Sequence, residues 1–443
     1  MTVAPPLEVS TQAKLVFPAH RSLAAERGAR GMHVLYPRCC GLDIHKKTIV
    51  ACVLLTDPDG ADGTAHRFVR TFGTMTADLL ALGDWLEFHA VTHAAMESTG
   101  VLWRPVFNVL EEGRTLILVN AQHIKALPGR KTDVKDSEWL ADLLRHGLLR
   151  PSFIPPPPIR VLRDLTRYRK SLVELRTQEI NRVHKVLETA NLKLGAVASN
   201  VVGASGRRML RAIEQGESDS QVLAELAKGQ LREKLPALRL ALAGRVQPHH
   251  RQLLGELLDH IDYLEQSIHR MEVRIAALVA EQEQAVQLLL TLPATGPVTA
   301  AAILAEIGPD MTRFPSAHHL ASWAGVCPGN RRSAGKQLSG TSTKGNKQLK
   351  TILCEIAATI ARSPGTYLHA FYHRIARRRG KPRAMLAVAH SLLVSIYSML
   401  RDQVPYQDLG PDHFDHLHAQ RLERHYVRRL EDLGFQVRLT PAS

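Results

Sequence analysis

The first third of the chain combines short apolar runs with segments of helical periodicity. Apolar and β-branched residues predict strands at residues 39–43, 48–55, 66–71, 92–96 and 115–119. Apolar residues at i, i+3 and i+4 spacing predict helices at residues 76–89, 101–112 and within 131–146. This order begins as a strand meander and ends in strand–helix alternation. We therefore expect a mixed sheet covered by helices.

A proline-rich stretch, PSFIPPPP at residues 151–158, follows this region and predicts an extended, semi-rigid spacer. Residues 161–194 then form a predicted helix rich in Arg and Lys. The clearest periodicity in the chain comes next, with apolar residues at alternating spacings of three and four: Leu254, Leu257, Ile261, Leu264, Ile268, Met271, Ile275 and Leu278. This pattern predicts a coiled coil. Its partner is either the helix at 161–194 or the same helix of another protomer.

From residue 288 onward, apolar helices alternate with polar loops. A Pro-x-x-Gly turn within residues 288–308 predicts either a helix-hairpin-helix element that offers N–H groups to a phosphate, or a plain helical hairpin. Residues 325–350 form a long polar loop, and loops of this length are typically functional or disordered. Helices are predicted at 349–361, 366–376 and 384–400. The last is short for a membrane span and carries His390, so we expect a buried helix.

These patterns divide the chain into five regions, and the predicted fold class is α/β plus α. We expect a disordered basic extension at 1–37, an α/β catalytic domain at 38–150, a spacer with helical and coiled-coil segments at 151–287, a mainly helical C-terminal domain at 288–402, and a tail at 403–443. The tail has three histidines within residues 412–418, which we interpret as a solvated surface rather than a metal site.

The charge of the chain indicates a polyanionic partner. Lys and Arg number 57 against 42 Asp and Glu, a formal net charge of +15, and nucleic acid is the commonest partner of so basic a protein. Five cysteines without CxxC spacing indicate reduced thiols and argue against a disulfide framework or a zinc ribbon. The N-terminal residues lack the apolar run of a signal peptide. We therefore expect a cytoplasmic, nucleoid-associated protein without a membrane partner.

Four carboxylates stand at the ends of predicted elements in the α/β domain. Asp43 ends the first strand, Glu97 ends the fourth, and Asp133 and Asp136 open the last helix three residues apart. Carboxylates on one helix face repel each other unless a cation lies between them or one is protonated. Local interpretations are also open: Asp133 and Asp136 fit a capping box, and Asp43 and Glu97 fit strand-end turns.

Ribonuclease-H-like nucleases present their acids in this way, from strand ends and a terminal helix that converge at one edge of the sheet. Two Mg²⁺ ions about 3.5–4 Å apart relieve such repulsion and hold a phosphodiester. Oxygen ligands suit Mg²⁺ or Mn²⁺ and argue against zinc. We therefore expect Asp43, Glu97, Asp133 and Asp136 to bind metal and to be catalytic.

At these residues the chain resembles a known family. GLDIHKKTIVACVL, AAMESTGVLWRPVFNVLE and LPGRKTDVKDSEWLADLLRHGLL are similar to the three acidic motifs of the DEDD-type transposases of the IS110 insertion-sequence family, related to the Piv DNA invertases. LPATGPVTAAAILAEIG and the segment from Phe314 to Lys350 resemble the C-terminal domain of that family. Two residues depart from the family pattern: Ala294 replaces a usual Gly, and Leu102 a common aromatic residue.

The resemblance implies a RuvC-like N-terminal domain, a coiled-coil linker and a C-terminal domain with a nucleophilic serine. It also implies guidance by a non-coding bridge RNA that pairs with donor and target DNA. Carried over to this sequence, the acids are Asp43, Glu97, Asp133 and Asp136, and the serine is Ser333. Recombination between two DNA partners further suggests a homodimer or tetramer.

The residues around Ser333 suit a phosphate. Arg331, Arg332 and Lys336 flank it and are expected to bind the scissile phosphate, while the hydroxyl itself needs activation. An ordinary loop serine, or Ser339 or Ser342 as the nucleophile, are the alternatives. Further nucleic-acid contacts are expected from Lys344 within the loop and from the basic helix after Pro158. Basic residues after the loop are expected to add to them, at Arg374, Arg377, Arg378, Arg379 and Lys381.

Three functions compete for this combination of features. The leading hypothesis is a transposase or DNA recombinase that cuts and rejoins DNA of an insertion element through a phosphoserine link. The alternative is a Holliday-junction-type hydrolytic nuclease that uses the acids and water, with a C-terminal domain that only binds nucleic acid. A non-enzymatic nucleic-acid-binding scaffold would explain the basic net charge but not the clustered carboxylates.

Overall fold

A computed structural model describes residues 33–56, 65–98, 100–120, 136–328, 331–333, 336–339, 342, 345–417 and 419–439. The chain forms two compact units, one ending at Ile154 and the other beginning at Pro155. The predicted spacer, coiled-coil region and C-terminal domain therefore fall almost entirely in one unit.

The N-terminal unit is a mixed α/β fold built on a five-stranded sheet. Its strands are β1 (Arg38–Ile44), β2 (Thr48–Thr56), β3 (Ala65–Gly73), β4 (His93–Glu97) and β5 (Thr115–Val119), and its helices are α1 (Thr76–Phe88), α2 (Trp103–Leu110) and α3 (Asp136–Arg145). The strand order is β3-β2-β1-β4-β5. β1, β2 and β3 are antiparallel, and β1, β4 and β5 are parallel. The mixed, helix-covered sheet predicted from the sequence is confirmed, and it is the order of a ribonuclease-H-like domain.

The two faces of this sheet have separate cores because side chains alternate along each strand. Cys40 and Leu42 pack on the face covered by α1 and α2. Cys39 packs on the opposite face, together with Leu140 and Leu144 of α3. Helix α3 therefore lies on the face that the odd-numbered β1 residues share.

Part of the predicted N-terminal extension joins this unit. The backbone N–H groups of Leu35 and Tyr36 donate hydrogen bonds to the carbonyl oxygen of Arg145, at 2.8 and 3.1 Å. The Tyr36 ring lies 4.1 Å from that of His93. Residues 34–37 thus pack on the domain, contrary to the prediction of disorder up to residue 37. Residues 1–32 of that prediction lie outside the described residues.

The C-terminal unit is mainly helical. It comprises α4 (Pro157–Thr189), α5 (Leu194–Val197), α6 (Ala204–Glu214), α7 (Ser220–Glu225), α8 (Leu235–Leu242), α9 (Pro248–Val279), α10 (Glu283–Leu290), α11 (Pro297–Ile307), α12 (Ala317–Ala324), α13 (Lys347–Ile360), α14 (Tyr367–Arg379), α15 (Lys381–Asp402), α16 (His413–Leu417) and α17 (Ala419–Glu431). Short 3₁₀ helices lie at Gly229–Lys234, Ala280–Gln282 and Met311–Arg313.

Two local predictions in this unit are wrong. The proline spacer was expected to be extended through residue 158, but α4 begins at Pro157. Prolines are tolerated in the first turn because the N–H groups there have no helical partner. Residues 325–350 were expected to be one loop, but β6 (Arg331–Ser333) and β7 (Lys336–Ser339) form a small antiparallel hairpin within them.

The heptad-like helix α9 packs on α4 of the same chain. Ion pairs join Arg169 to Glu272 at 2.5 Å and Arg176 to Glu265 at 2.6 Å. Moving along α4 from Arg169 to Arg176, the partner in α9 changes from Glu272 back to Glu265, so the two helices run antiparallel. Leu254, Ile261, Leu264 and Ile275 of the predicted seam are buried. Of the two partners considered for α9, the structure shows the helix of the same chain, α4. Supercoiling of the two helices into a coiled coil stays a prediction.

The apolar helix α15 lies in the core of the C-terminal unit. Ala384, Val388, Leu392, Leu393 and Ile396 are fully buried. By length and composition α15 is the one helix in the described part of the chain that could cross a bilayer, and half of its most apolar stretch is buried in the protein. The observed packing agrees with the buried helix predicted from the sequence.

Candidate active site

Two of the predicted acids end adjacent parallel strands and share one face of the sheet. In the β1–β4 ladder, Leu42 pairs with Met96, so Asp43 and Glu97 are the next residues along. Cys39 and Ala95 pack on the α3 face of the sheet. Asp43 is an even number of residues from Cys39, and Glu97 from Ala95, so their side chains lie on that same face. The two carboxylates therefore leave the same edge of the sheet on the same side.

Helix α3 brings a third acid to this edge. A β-carbon on Gly41 would lie 2.1 Å from the carbonyl oxygen of Ser137 and 2.5 Å from the nitrogen of Ala141. Only a glycine permits so close a contact between strand and helix. Since Gly41 is two residues before Asp43, on the same face, the first turn of α3 and its first residue, Asp136, lie beside the strand ends. The fourth predicted acid, Asp133, lies outside the described residues.

The surroundings of these acids are polar and partly open. Asp43 is 26% exposed, and its Oδ2 lies 3.1 Å from Nε2 of His45. Glu97 is half-buried and Asp136 is exposed, and no ion pair joins either carboxylate to another described residue. His45 was not predicted as a site residue; it lies two residues after Asp43, just beyond the end of β1 at Ile44.

The donors suit a hard divalent cation, because all three carboxylates offer oxygen ligands. Among the residues that the structure describes, no group of three or more His, Cys, Asp or Glu side chains is close enough to hold a metal ion. Strand register and the Gly41 contact thus place Asp43, Glu97 and Asp136 at one edge of the sheet, but their side chains do not form a metal-binding group by themselves.

The predicted nucleophile lies in the small hairpin of the C-terminal unit. Ser333 ends β6 and pairs with Lys336 of β7, and Arg332 pairs with Gln337. Arg331 begins the same strand, next to a register shift between Arg331 and Arg332. This pairing places the backbone of Ser333 at the tip of the hairpin beside a cationic residue. Lys344 lies outside the described residues.

The exit of this loop is fixed by a buried carboxylate that sequence reasoning missed. Glu306 is 1% exposed. It accepts hydrogen bonds from Arg167 at 2.8 Å on each oxygen and from the Asn346 amide at 2.6 Å. Burial would raise the pKa of Glu306, but these bonds and the charge of Arg163 hold it below its ordinary value. Asn346 also caps α13, so Glu306 ties the start of that helix to α4.

Ser342, one of the alternative nucleophiles, has a cationic neighbour in α13. The Nζ atom of Lys350 donates a hydrogen bond to Ser342 Oγ at 2.6 Å. No local pattern predicts this contact, since eight residues separate the partners. It offers Ser342 a structural role, in which its hydroxyl is an acceptor for Lys350.

The predicted nucleic-acid contacts after the loop are grouped at one helix end. Arg377, Arg378 and Arg379 form the last turn of α14 and are exposed. The guanidinium of Arg374 lies 5.1 Å from the centre of the Phe414 ring. Cations at a helix C-terminus also interact favourably with the helix dipole, so this cluster has a stabilising role apart from nucleic-acid binding.

Comparison with known proteins matches both halves of the chain to transposases. Residues 40–192 match a model of DEDD transposases of the IS110 type, and residues 286–373 match the model "Transposase IS116/IS110/IS902 family". A probable family 20 transposase of Pseudomonas aeruginosa is 27% identical over 270 residues, 60% of this chain and 71% of that protein. An uncharacterized 43.6 kDa protein of insertion element IS110 from Streptomyces coelicolor is 34% identical over 145 residues, 32% of this chain and 35% of that protein.

A pilin gene-inverting protein of Moraxella bovis is also similar, with 28% identity over 187 residues, 38% of this chain and 58% of that protein. The ribonuclease-H-like sheet, its acidic edge and these matches define the protein as a DNA transposase or recombinase. The chain belongs to the IS110 family of insertion-sequence transposases. The family resemblance stated from the sequence motifs is thereby confirmed.

Proposed function

We propose that this transposase cuts and rejoins the DNA of its insertion element through a covalent serine–DNA link. The acids Asp43, Glu97, Asp133 and Asp136 would bind Mg²⁺, or Mn²⁺, and Ser333 would be the nucleophile. The observation that carries the proposal is the position of Asp43 and Glu97 on one face of adjacent strand ends, under the helix that begins at Asp136.

The chemistry divides between the two sets of residues. A bound divalent cation supplies charge neutralisation at a phosphodiester. The Ser333 oxygen would attack the scissile phosphorus, form a phosphoserine diester and release one DNA hydroxyl. The hydroxyl of the partner DNA would then attack the same phosphorus and free the serine. Both steps exchange one phosphodiester for another, so no external energy source is needed.

Basic residues would hold the nucleic acid during this exchange. Arg331, Arg332, Lys336 and Lys344 are proposed to contact the phosphate near the serine, and Arg377, Arg378 and Arg379 to contact the backbone farther away. The partners proposed are donor and target DNA and a bridge RNA that pairs with both. A homodimer or tetramer in the cytoplasm would bring the two DNA partners together.

Acid variants test the metal site. Asp43→Asn, Glu97→Gln, Asp133→Asn and Asp136→Asn should each abolish DNA cleavage and leave the fold intact. Added Mg²⁺ at tenfold its Kd should stabilise the wild type by about 1.4 kcal/mol, and the variants should lose this shift. Asp84→Asn, an exposed acid of α1 on the other side of the sheet, is the control and should behave as wild type. Normal cleavage by any two of the four variants would refute the site.

A further inference from the structure

A groove in the C-terminal unit is unused by the proposed chemistry. It encloses ≈ 700 Å³ between helices α4, α9, α11 and α13. Its walls are largely apolar and include Ile275, Val279, Val298, Ala301, Ile352 and Ile356. Val298 is 40% exposed, so part of this apolar surface faces solvent. An apolar surface of this shape is typical of a site that receives a helix.

The charge of the groove differs from that of the whole chain. Five glutamates line it against three cations, although the chain as a whole has a net charge of +15. The cations Arg167, Arg169 and Lys170 are ion-paired with Glu306, Glu272 and Glu355.

Two acids at the rim of the groove lack such cations. Glu174 and Glu283 are exposed, and no ion pair joins them to another described residue. Their negative charge repels the phosphates of DNA or RNA. It favours a partner that is both apolar and basic.

The C-terminal helix α17 has this composition. Tyr426 and Leu430 lie four residues apart, on one face of the helix, and Leu433 follows just after its last residue, Glu431. They are 61%, 41% and 69% exposed, and Phe435 just beyond them is 62% exposed. Arg429 lies beside this face and is exposed. The helix thus presents an apolar stripe and a cation to solvent.

We propose that the groove receives helix α17 of a second copy of this chain. Tyr426, Leu430 and Leu433 would fill the apolar walls, and Arg429 would lie against the acidic rim at Glu283. Each copy supplies this groove and this helix, so reciprocal exchange closes a two-fold dimer in which both grooves are filled. This association needs neither nucleic acid nor the catalytic residues.

Photocrosslinking tests whether helix α17 of a second copy occupies the groove. Benzoylphenylalanine replaces Tyr426, and the full-length protein is mixed at equal amounts with a ¹⁵N-labelled preparation, without nucleic acid. We expect crosslinked peptides that join α17 to the groove walls and combine one light with one heavy copy. The same probe at Leu240, which is 81% exposed, is the control and should give no groove crosslink. Crosslinks only within one isotope would show that the helix occupies its own groove, and absence of groove crosslinks would refute the site.

A charge exchange tests the orientation. Arg429→Glu and Glu283→Arg should each weaken dimerisation by roughly two- to fivefold, as for an exposed ion pair, and the double variant should recover most of the affinity. Leu430→Asp should weaken it by about tenfold or more, because a charge would enter an apolar wall. Sedimentation measures all four. Singles without effect, or a double variant weaker than both singles, would contradict the proposed contact.

Discussion

The backbone of Ser137 lies so close to Gly41 that a β-carbon on the glycine would be 2.1 Å from the Ser137 carbonyl oxygen. This contact joins the two parts of the acidic edge, because Gly41 precedes Asp43 on the strand and Ser137 follows Asp136 on the helix. The position of the helix acid relative to the strand acids therefore depends on a residue without a side chain.

Gly41→Ala should displace α3 from the sheet. We expect a loss of about 1–3 kcal/mol in the free energy of unfolding, as for other overpacked contacts, together with reduced cleavage. Gly83→Ala is the matched control: its nearest neighbouring atom is 3.6 Å away, so the helix propensity of alanine should stabilise the protein by about 1 kcal/mol. Denaturant unfolding measures both, and equal stability of the two variants would contradict the contact.

Glu306 should make the free energy of unfolding depend on pH. Its pKa is held below the ordinary value of 4.5 in the fold, so its contribution is complete above about pH 4.5 and is lost as pH falls through the lowered value. Glu306→Ala should cost about 3–5 kcal/mol at neutral pH, because it removes the buried carboxylate that pairs with Arg167. The difference between wild type and Glu306→Gln should shrink in acid.

Urea unfolding at pH 7 and at pH 4 measures this effect. Glu188→Gln is the control, since Glu188 is exposed and pairs with Lys193, and surface pairs contribute about 0–1 kcal/mol. A wild-type advantage over Glu306→Gln that stays constant with pH would contradict the assigned role of the carboxylate.

Ala294 should carry backbone strain. Its φ of 58° is left-handed, a conformation that costs a residue with a β-carbon roughly 1–2 kcal/mol. Ala294→Gly should therefore stabilise the protein by about 1 kcal/mol, and Ala302→Gly within α11 should destabilise it by a similar amount. Thermal unfolding measures both, and destabilisation by Ala294→Gly would show that the turn is relaxed with alanine.

The exposed arginines at the end of α14 should bind phosphates by charge. Replacing Arg377, Arg378 and Arg379 together by Ala should weaken nucleic-acid binding and reduce the slope of log K against log salt by up to about three. The triple Lys variant keeps the charge and should retain the wild-type slope. Fluorescence anisotropy across a salt series measures it, and an unchanged slope for the Ala variant would place the binding surface elsewhere.

The sequence predicted the N-terminal sheet well because its signal is local. Alternating or continuous apolar residues gave each of the five strands within a few residues, and β5 at 115–119 without error. The common face of Asp43 and Glu97 follows from the same period of two. The position of α3 did not follow, since nothing local in the sequence distinguishes the Gly41 contact from an ordinary strand glycine.

The C-terminal unit was harder to predict because its decisive contacts are distant. Glu306 is one acid within an apolar helix, and its partner Arg167 is 139 positions away. The hairpin around Ser333 has strands of three and four residues without apolar alternation, so no periodicity marks it. The start of α4 at Pro157 was missed because prolines that read as a spacer also suit a first helical turn.

We expect Ser333 to become covalently linked to DNA, and trapped reactions with end-labelled DNA on denaturing gels measure this link most directly. Wild type should give a labelled band at the mass of protein plus DNA. Ser333→Ala should bind nucleic acid normally and give no such band, while Ser339→Ala and Ser342→Ala should still form it. An adduct that persists in Ser333→Ala would move the nucleophile to another residue, and wild-type cleavage without any adduct would contradict the account in favour of hydrolysis.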